Sequence, residues 1–161
     1  MTNNDFLRSF RYALELDPRA LRAFFADGGV NVSLRSVAAM LKDDDEAGFE
    51  PVSDPLLSAF LDGLITARRG AREPKAASEA RAPATEQRSR LSNNRILRAL
   101  RIAFELRDTD IQAFMQAAGR EVSKAELGAL FRREDHRNYQ PCGDQFMRAF
   151  LRGLGLAHRA R

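Results

Sequence analysis

A chain of 161 residues, 44% hydrophobic and 30% charged, has the composition of one ordinary folded domain or two small ones. It has no apolar run near the ~18 residues of a membrane span, and its single cysteine, Cys142, excludes an internal disulfide and a cysteine-only metal cluster. The formal net charge of +4 is uneven: residues 1–70 carry 8 Lys/Arg against 11 Asp/Glu, 71–90 carry 5 against 3, and 91–161 carry 13 against 8. An acidic half and a basic half imply either mutual attraction or an anionic partner for the basic one. Lysine occurs only at Lys42, Lys75 and Lys124. The remaining positive charge is arginine, which suits bidentate phosphate contacts but also follows from a GC-rich coding sequence. The start, MTNNDFLRSF, lacks the basic-then-apolar order of a secretory signal, so a cytoplasmic location is expected.

The first predicted helix, near 4–16, lines up Phe6, Leu7, Phe10, Ala13 and Leu14 at helical spacing, with Asn3 or Asn4 as its cap. Asp17-Pro18 pairs a capping acceptor with a first-turn proline and opens a second helix, through Leu21, Phe24 and Phe25, that stops at Gly28-Gly29. A third begins after Ser33 and buries Val37, Met40 and Leu41. A loop, DDDEAGFEPVS, follows, and its Phe49 is expected to plug the core. The fourth helix starts at Asp54-Pro55, with the aspartate as cap. Its apolar residues, Leu56, Leu57, Phe60, Leu61, Leu64 and Ile65, form a stripe wider than one packing face needs.

The same order then recurs. Shifting the chain by 90 positions lays NNDFLRSFRYALEL over NNRILRALRIAFEL, and PVSDPLLSAFLDGL over PCGDQFMRAFLRGL, without a gap. Leu7/Leu97, Arg8/Arg98, Arg11/Arg101, Glu15/Glu105, Phe24/Phe114, Gly29/Gly119, Asp45/Asp135, Asp54/Asp144, Phe60/Phe150 and Gly63/Gly153 are identical pairs. Gly29 and Gly119 mark a left-handed helix terminus. In the second copy Ser123-x-x-Glu126 predicts a capping box, and Tyr139 stands where the first copy has Phe49. The fold class is therefore all-α: two tandem helical modules of about four helices each. Residues 1–71 form copy one, 72–90 a disordered polar linker and 91–161 copy two. Modules of about 70 residues are marginal alone, so they are expected to pack as a pseudo-two-fold pair, with the fourth helices at or near the contact.

The N-N-x-x-L-R-x-x-R start, the G-G-V-x-V-S turn and the acidic-G-F-x-P-x-S-D loop together resemble the YehS-like family of small bacterial proteins, whose members carry the same domain twice. The resemblance covers both copies and leaves out the linker. The second copy departs from it with Arg120 in place of Val30 and HRNY in place of EAGF. The family is catalogued as a domain of unknown function, so the resemblance implies an architecture and no activity or site residues.

No residue set carries identifiable catalysis. His136 and His158 have no partner nucleophile in a recognisable motif and read as surface histidines. Asp43, Asp44, Asp45 and Glu46 lack the alternation and glycine of a calcium loop, so no metal and no cofactor are expected. The helix pair around GGVNVS has too long a connection and too few base-reading side chains for a helix-turn-helix. Arg8, Arg11 and Asp45, with Arg98, Arg101 and Asp135, are the candidate site: either a clamp from the first helix onto the loop before the fourth, or a binding surface for phosphate or an acidic peptide. The reading is a non-enzymatic binding or adaptor protein without membrane attachment. The alternative is a nucleic-acid binder using the Arg-rich linker and copy two.

Overall fold

The computed structural model describes residues 1–70 and 91–160; the expected linker, 72–90, lies outside them. The described residues form eight helices and no strand: α1 Asn3–Leu14, α2 Pro18–Asp27, α3 Leu34–Met40, α4 Asp54–Arg69, α5 Asn93–Ala103, α6 Asp108–Ala117, α7 Lys124–Leu130 and α8 Asp144–Arg159. The protein is all-α, with four helices per repeat.

The boundaries follow from local chemistry. Thr2 caps α1, its hydroxyl accepting from the Asp5 amide while the Asp5 carboxylate accepts from the Thr2 amide; the cap expected at Asn3 or Asn4 sits one residue earlier. Asp17 caps α2 by accepting from the Ala20 amide at 2.9 Å. Both α2 and α6 end in a Schellman motif around a left-handed glycine, Gly29 (φ 89°) and Gly119 (φ 84°). The Val30 amide donates to the Phe25 carbonyl at 3.0 Å and the Arg120 amide to the Met115 carbonyl at 2.8 Å. Ser123 caps α7 by accepting from the Glu126 amide, but the Glu126 carboxylate does not accept from the Ser123 amide, so only half of the expected capping box forms. The caps of α4 and α8 are Ser53 and Gly143, not the expected Asp54 and Asp144, because those aspartates already lie in the first helical turn.

The chain forms two compact units that are divided differently from the repeats: Met1–Leu16 with Ser92–Arg161, and Asp17–Leu91. In the second of these, α2 packs on α4 and α3 on α2. Phe25 and Phe60 meet there at 5.0 Å, and Gly63 faces the backbone of Phe24 so closely that a Cβ would lie 1.7 Å from its carbonyl oxygen. Leu91 closes this unit by donating its amide to the Asp54 carboxylate at 2.9 Å.

The five-helix unit is built around α8, which packs on α6 and on α1 and touches α5. Gly153 admits the backbone of Phe114 in α6, and Gly155 admits Ala13 in α1. The buried positions of α8 run from Phe146 and Met147 to Leu154 and Gly155, an arc of about 200° at ~100° per residue. Two packing partners account for the width of this arc, and one of them, α1, comes from the other repeat; on α4, where the sequence predicts the wide stripe, the partner within its unit is α2. Phe10 of α1 lies 6.3 Å from Phe104 at the end of α5. The Met1 amine pairs with Asp144, the counterpart of Leu91 on Asp54.

Candidate functional site

In the five-helix unit the recurring polar residues of α5 converge on the end of α7 and the loop behind it. Arg98 donates to the Phe131 carbonyl at 2.7 Å. Arg101 lies 4.5 Å over the Phe131 ring and pairs with Asp108 at 3.0 Å. Both arginines thus reach the terminus of α7 and not Asp135, which meets Arg133 at 3.6 Å on the exposed loop. In the first repeat Arg8 pairs with Asp5, the Arg11 Nε is buried without a hydrogen bond, and Asp45 lies exposed on its loop. No ion pair between Arg11 and Glu15 forms among the described residues. Glu15 lies beyond the helix at φ 53°, as Glu105 does at φ 52°.

The side chain that organises the loop is Asn94, the counterpart of Asn4, for which the sequence suggests a cap. It is buried, donates to the Leu130 and Gln140 carbonyls at 2.9 Å each, and accepts from the Cys142 amide at 2.7 Å. Its neighbour Asn93 donates to the Cys142 carbonyl at 3.0 Å and to Asp144 at 2.8 Å. The available signal was the Asn-Asn pair recurring at the same register in both repeats. Asn4 is buried like Asn94. Phe49 and Tyr139 are half-buried on their loops and outside the buried core, where Phe49 was expected to plug it, and burial raises the Tyr139 hydroxyl pKa above the usual value.

Burial pushes the Cys142 thiol up to about 12, so it is protonated at neutral pH. His136 lies exposed, its Nδ1 accepting from the Asn138 amide. An open hollow of about 610 Å³ is lined by Gln112, Gln116, Glu121, Val122, Ser123 and Glu126, where Ser123 is engaged in capping α7.

The family model described as "Protein of unknown function (DUF1456)" matches twice in tandem, over residues 3–70 and 93–160. The chain belongs to the DUF1456 family. It is 43% identical to the Escherichia coli (strain K12) protein named "Uncharacterized protein YehS" over 161 residues, covering 100% of this chain and 99% of that one. No solved structure matches.

The two DUF1456 repeats differ on the outer face of their last helix. On α8 Gln145, Arg148, Arg152, Leu156 and Arg159 are exposed and fall within an arc of about 80°. The corresponding positions of α4 are Pro55, Ser58, Asp62, Thr66 and Arg69. Tyr12 of α1 stands beside this face, 73% exposed, with the Arg159 guanidinium 5.5 Å from its ring centre, and Leu156 is 41% exposed.

Proposed function

We propose that the chain is a non-enzymatic binding protein of the cytoplasm that engages its partner through the outer face of α8 together with Tyr12. The observation that carries this reading is that Tyr12 and Leu156 stand exposed along a face of the five-helix unit that also carries three arginines, the last of them against Tyr12. Large exposed apolar side chains set beside arginine are the usual makings of a recognition surface. Two further features support a non-enzymatic role: the buried, protonated Cys142 thiol and the exposed setting of His136. Membrane insertion has no support either, since no helix among the described residues is long and apolar enough to cross a bilayer.

A protein partner would make the chain an adaptor; a nucleic acid is the second reading, favoured by the absence of any acidic residue on the α8 face. The test is a photo-cross-linking residue placed at position 12 or 156 in the full chain in cells, with the exposed helical position 22 as a control. A discrete product at 12 and 156, absent at 22, is expected. Equal labelling at all three positions, or none, overturns the reading.

A further inference from the structure

We infer that the α8 face is a binding track for single-stranded nucleic acid, an inference that rests on the binding role proposed above and names its ligand class. Three observations converge on it. The first is charge. Arg148, Arg152 and Arg159 lie in one exposed stripe without an intervening acid. The nearest carboxylate along the helix, Asp144, is bound by the Met1 amine and Asn93 and also feels the charge of Arg148, which leaves Arg152 and Arg159 clear of it.

The second is spacing. At ~1.5 Å of rise per residue, the stripe runs about 6 Å from Arg148 to Arg152 and about 10 Å more to Arg159. It is a linear array of cations and not a pocket, the shape that follows a phosphate backbone.

The third is Tyr12. An aromatic ring 73% exposed, with a guanidinium over one face, is a platform on which single-stranded bases stack against the ring or beside the cation, and this contact accepts any base because every base has a π face. A duplex keeps its bases stacked on one another and leaves nothing for Tyr12 to hold. A polyanion without rings or apolar groups, such as polyglutamate, would use the arginines and leave Tyr12 idle. The stripe belongs to copy two alone: copy one has Asp62 where copy two has Arg152, and Ser58 where it has Arg148. This accords with the basic balance of residues 91–161.

The probe is an oligothymidylate of about 15 residues, titrated into the full chain at several salt concentrations. The protein has no tryptophan and two tyrosines, so a Tyr139→Phe variant leaves Tyr12 as the sole aromatic reporter. Its fluorescence should be quenched on binding. Tyr12→Ala should weaken binding about tenfold. An Arg148→Ser, Arg152→Ser, Arg159→Ser triple variant should reduce the slope of log affinity against log salt by about 2, near 0.7 per lost phosphate contact. All these positions except Tyr139 are exposed, and circular dichroism checks that each variant keeps its helices.

Equal affinity for a duplex of the same length, for polyphosphate or for polyglutamate, with Tyr12→Ala without effect, overturns the inference in favour of simple charge attraction. No oligonucleotide binding, together with a discrete protein cross-linked at positions 12 and 156, also overturns it while leaving the binding role intact. Failure of both experiments removes both.

Discussion

The carbonyl oxygen of Phe114 occupies the space where a side chain on Gly153 would begin: a Cβ built there lies 1.9 Å from it. This contact sets how closely α6 and α8 approach. Gly153→Ala should therefore force the two helices apart and destabilise the protein by about 3 kcal/mol, the upper range of overpacking costs. The measurement is urea denaturation followed by circular dichroism. Gly63→Ala, which meets the Phe24 carbonyl at 1.7 Å in the other unit, should behave alike.

Asn94 satisfies three backbone groups from one buried side chain. Asn94→Ala strands the Cys142 amide and removes a donor from two carbonyls, for an expected loss of about 2–4 kcal/mol. Asn94→Asp keeps the acceptor and adds a negative charge facing two carbonyl oxygens, so it should not rescue stability. Hydrogen exchange at the Cys142 amide should accelerate in both variants.

Glu15 occupies the left-handed region at φ 53°, where a Cβ costs about 1 kcal/mol relative to glycine. Glu15→Gly should raise stability by somewhat less than that, because glycine also loosens the unfolded chain. Glu15→Ala keeps the Cβ and should leave the denaturation midpoint nearly unchanged.

With its thiol at about 12 and the residue only 6% exposed, Cys142 should react slowly with a disulfide reagent at pH 8 and fast once the protein is unfolded. The rate in native conditions then reports opening of the loop, and Asn94→Ala should increase it.

The Asp5 carboxyl is held below its ordinary value of 3.8, first by the hydrogen bond from the Thr2 amide and also by the Thr2 hydroxyl and by Arg8. A depressed folded-state value means that this stability is present above the unfolded pKa and is lost as pH falls through the folded one. Below about pH 4 the protein should lose stability with acidification, and Asp5→Asn should flatten part of that slope. The effect should be small, because the group is largely solvated.

Helix positions were legible because the stops and starts are local chemistry: Asp17-Pro18, Ser33 and Gly29 each act within a few residues. A last helix with more apolar surface than one neighbour covers was legible in residues 56–65 of copy one, and α8 of copy two has the two neighbours such a surface needs. What the sequence left open was the choice of covering helix. Phe6, Leu7, Phe10 and Ala13 of α1 have near-equivalents in Ile96, Leu97, Leu100 and Ala103 of α5. Two apolar faces of the same shape carry no information about which will dock on α8. The role of Asn94 is hidden in the sequence because an asparagine near a helix start satisfies the pattern of a cap, while its partners lie 36 to 48 residues away. Asp54 and Asp144 fit the same local pattern, although Ser53 and Gly143 hold the capping positions. The arginines of α8 alternate with core residues along the chain, and only the folded helix lines them up on one face with Arg159 against Tyr12.

Because α1 is seated against Gly155, the protein cannot be divided at its own duplication boundary. A fragment beginning at residue 91 would inherit the long final helix with one flank stripped, and the counterpart fragment would carry away the missing piece. What began as two copies of a gene has become a single inheritance, in which loss of the opening dozen residues damages the far end of the chain.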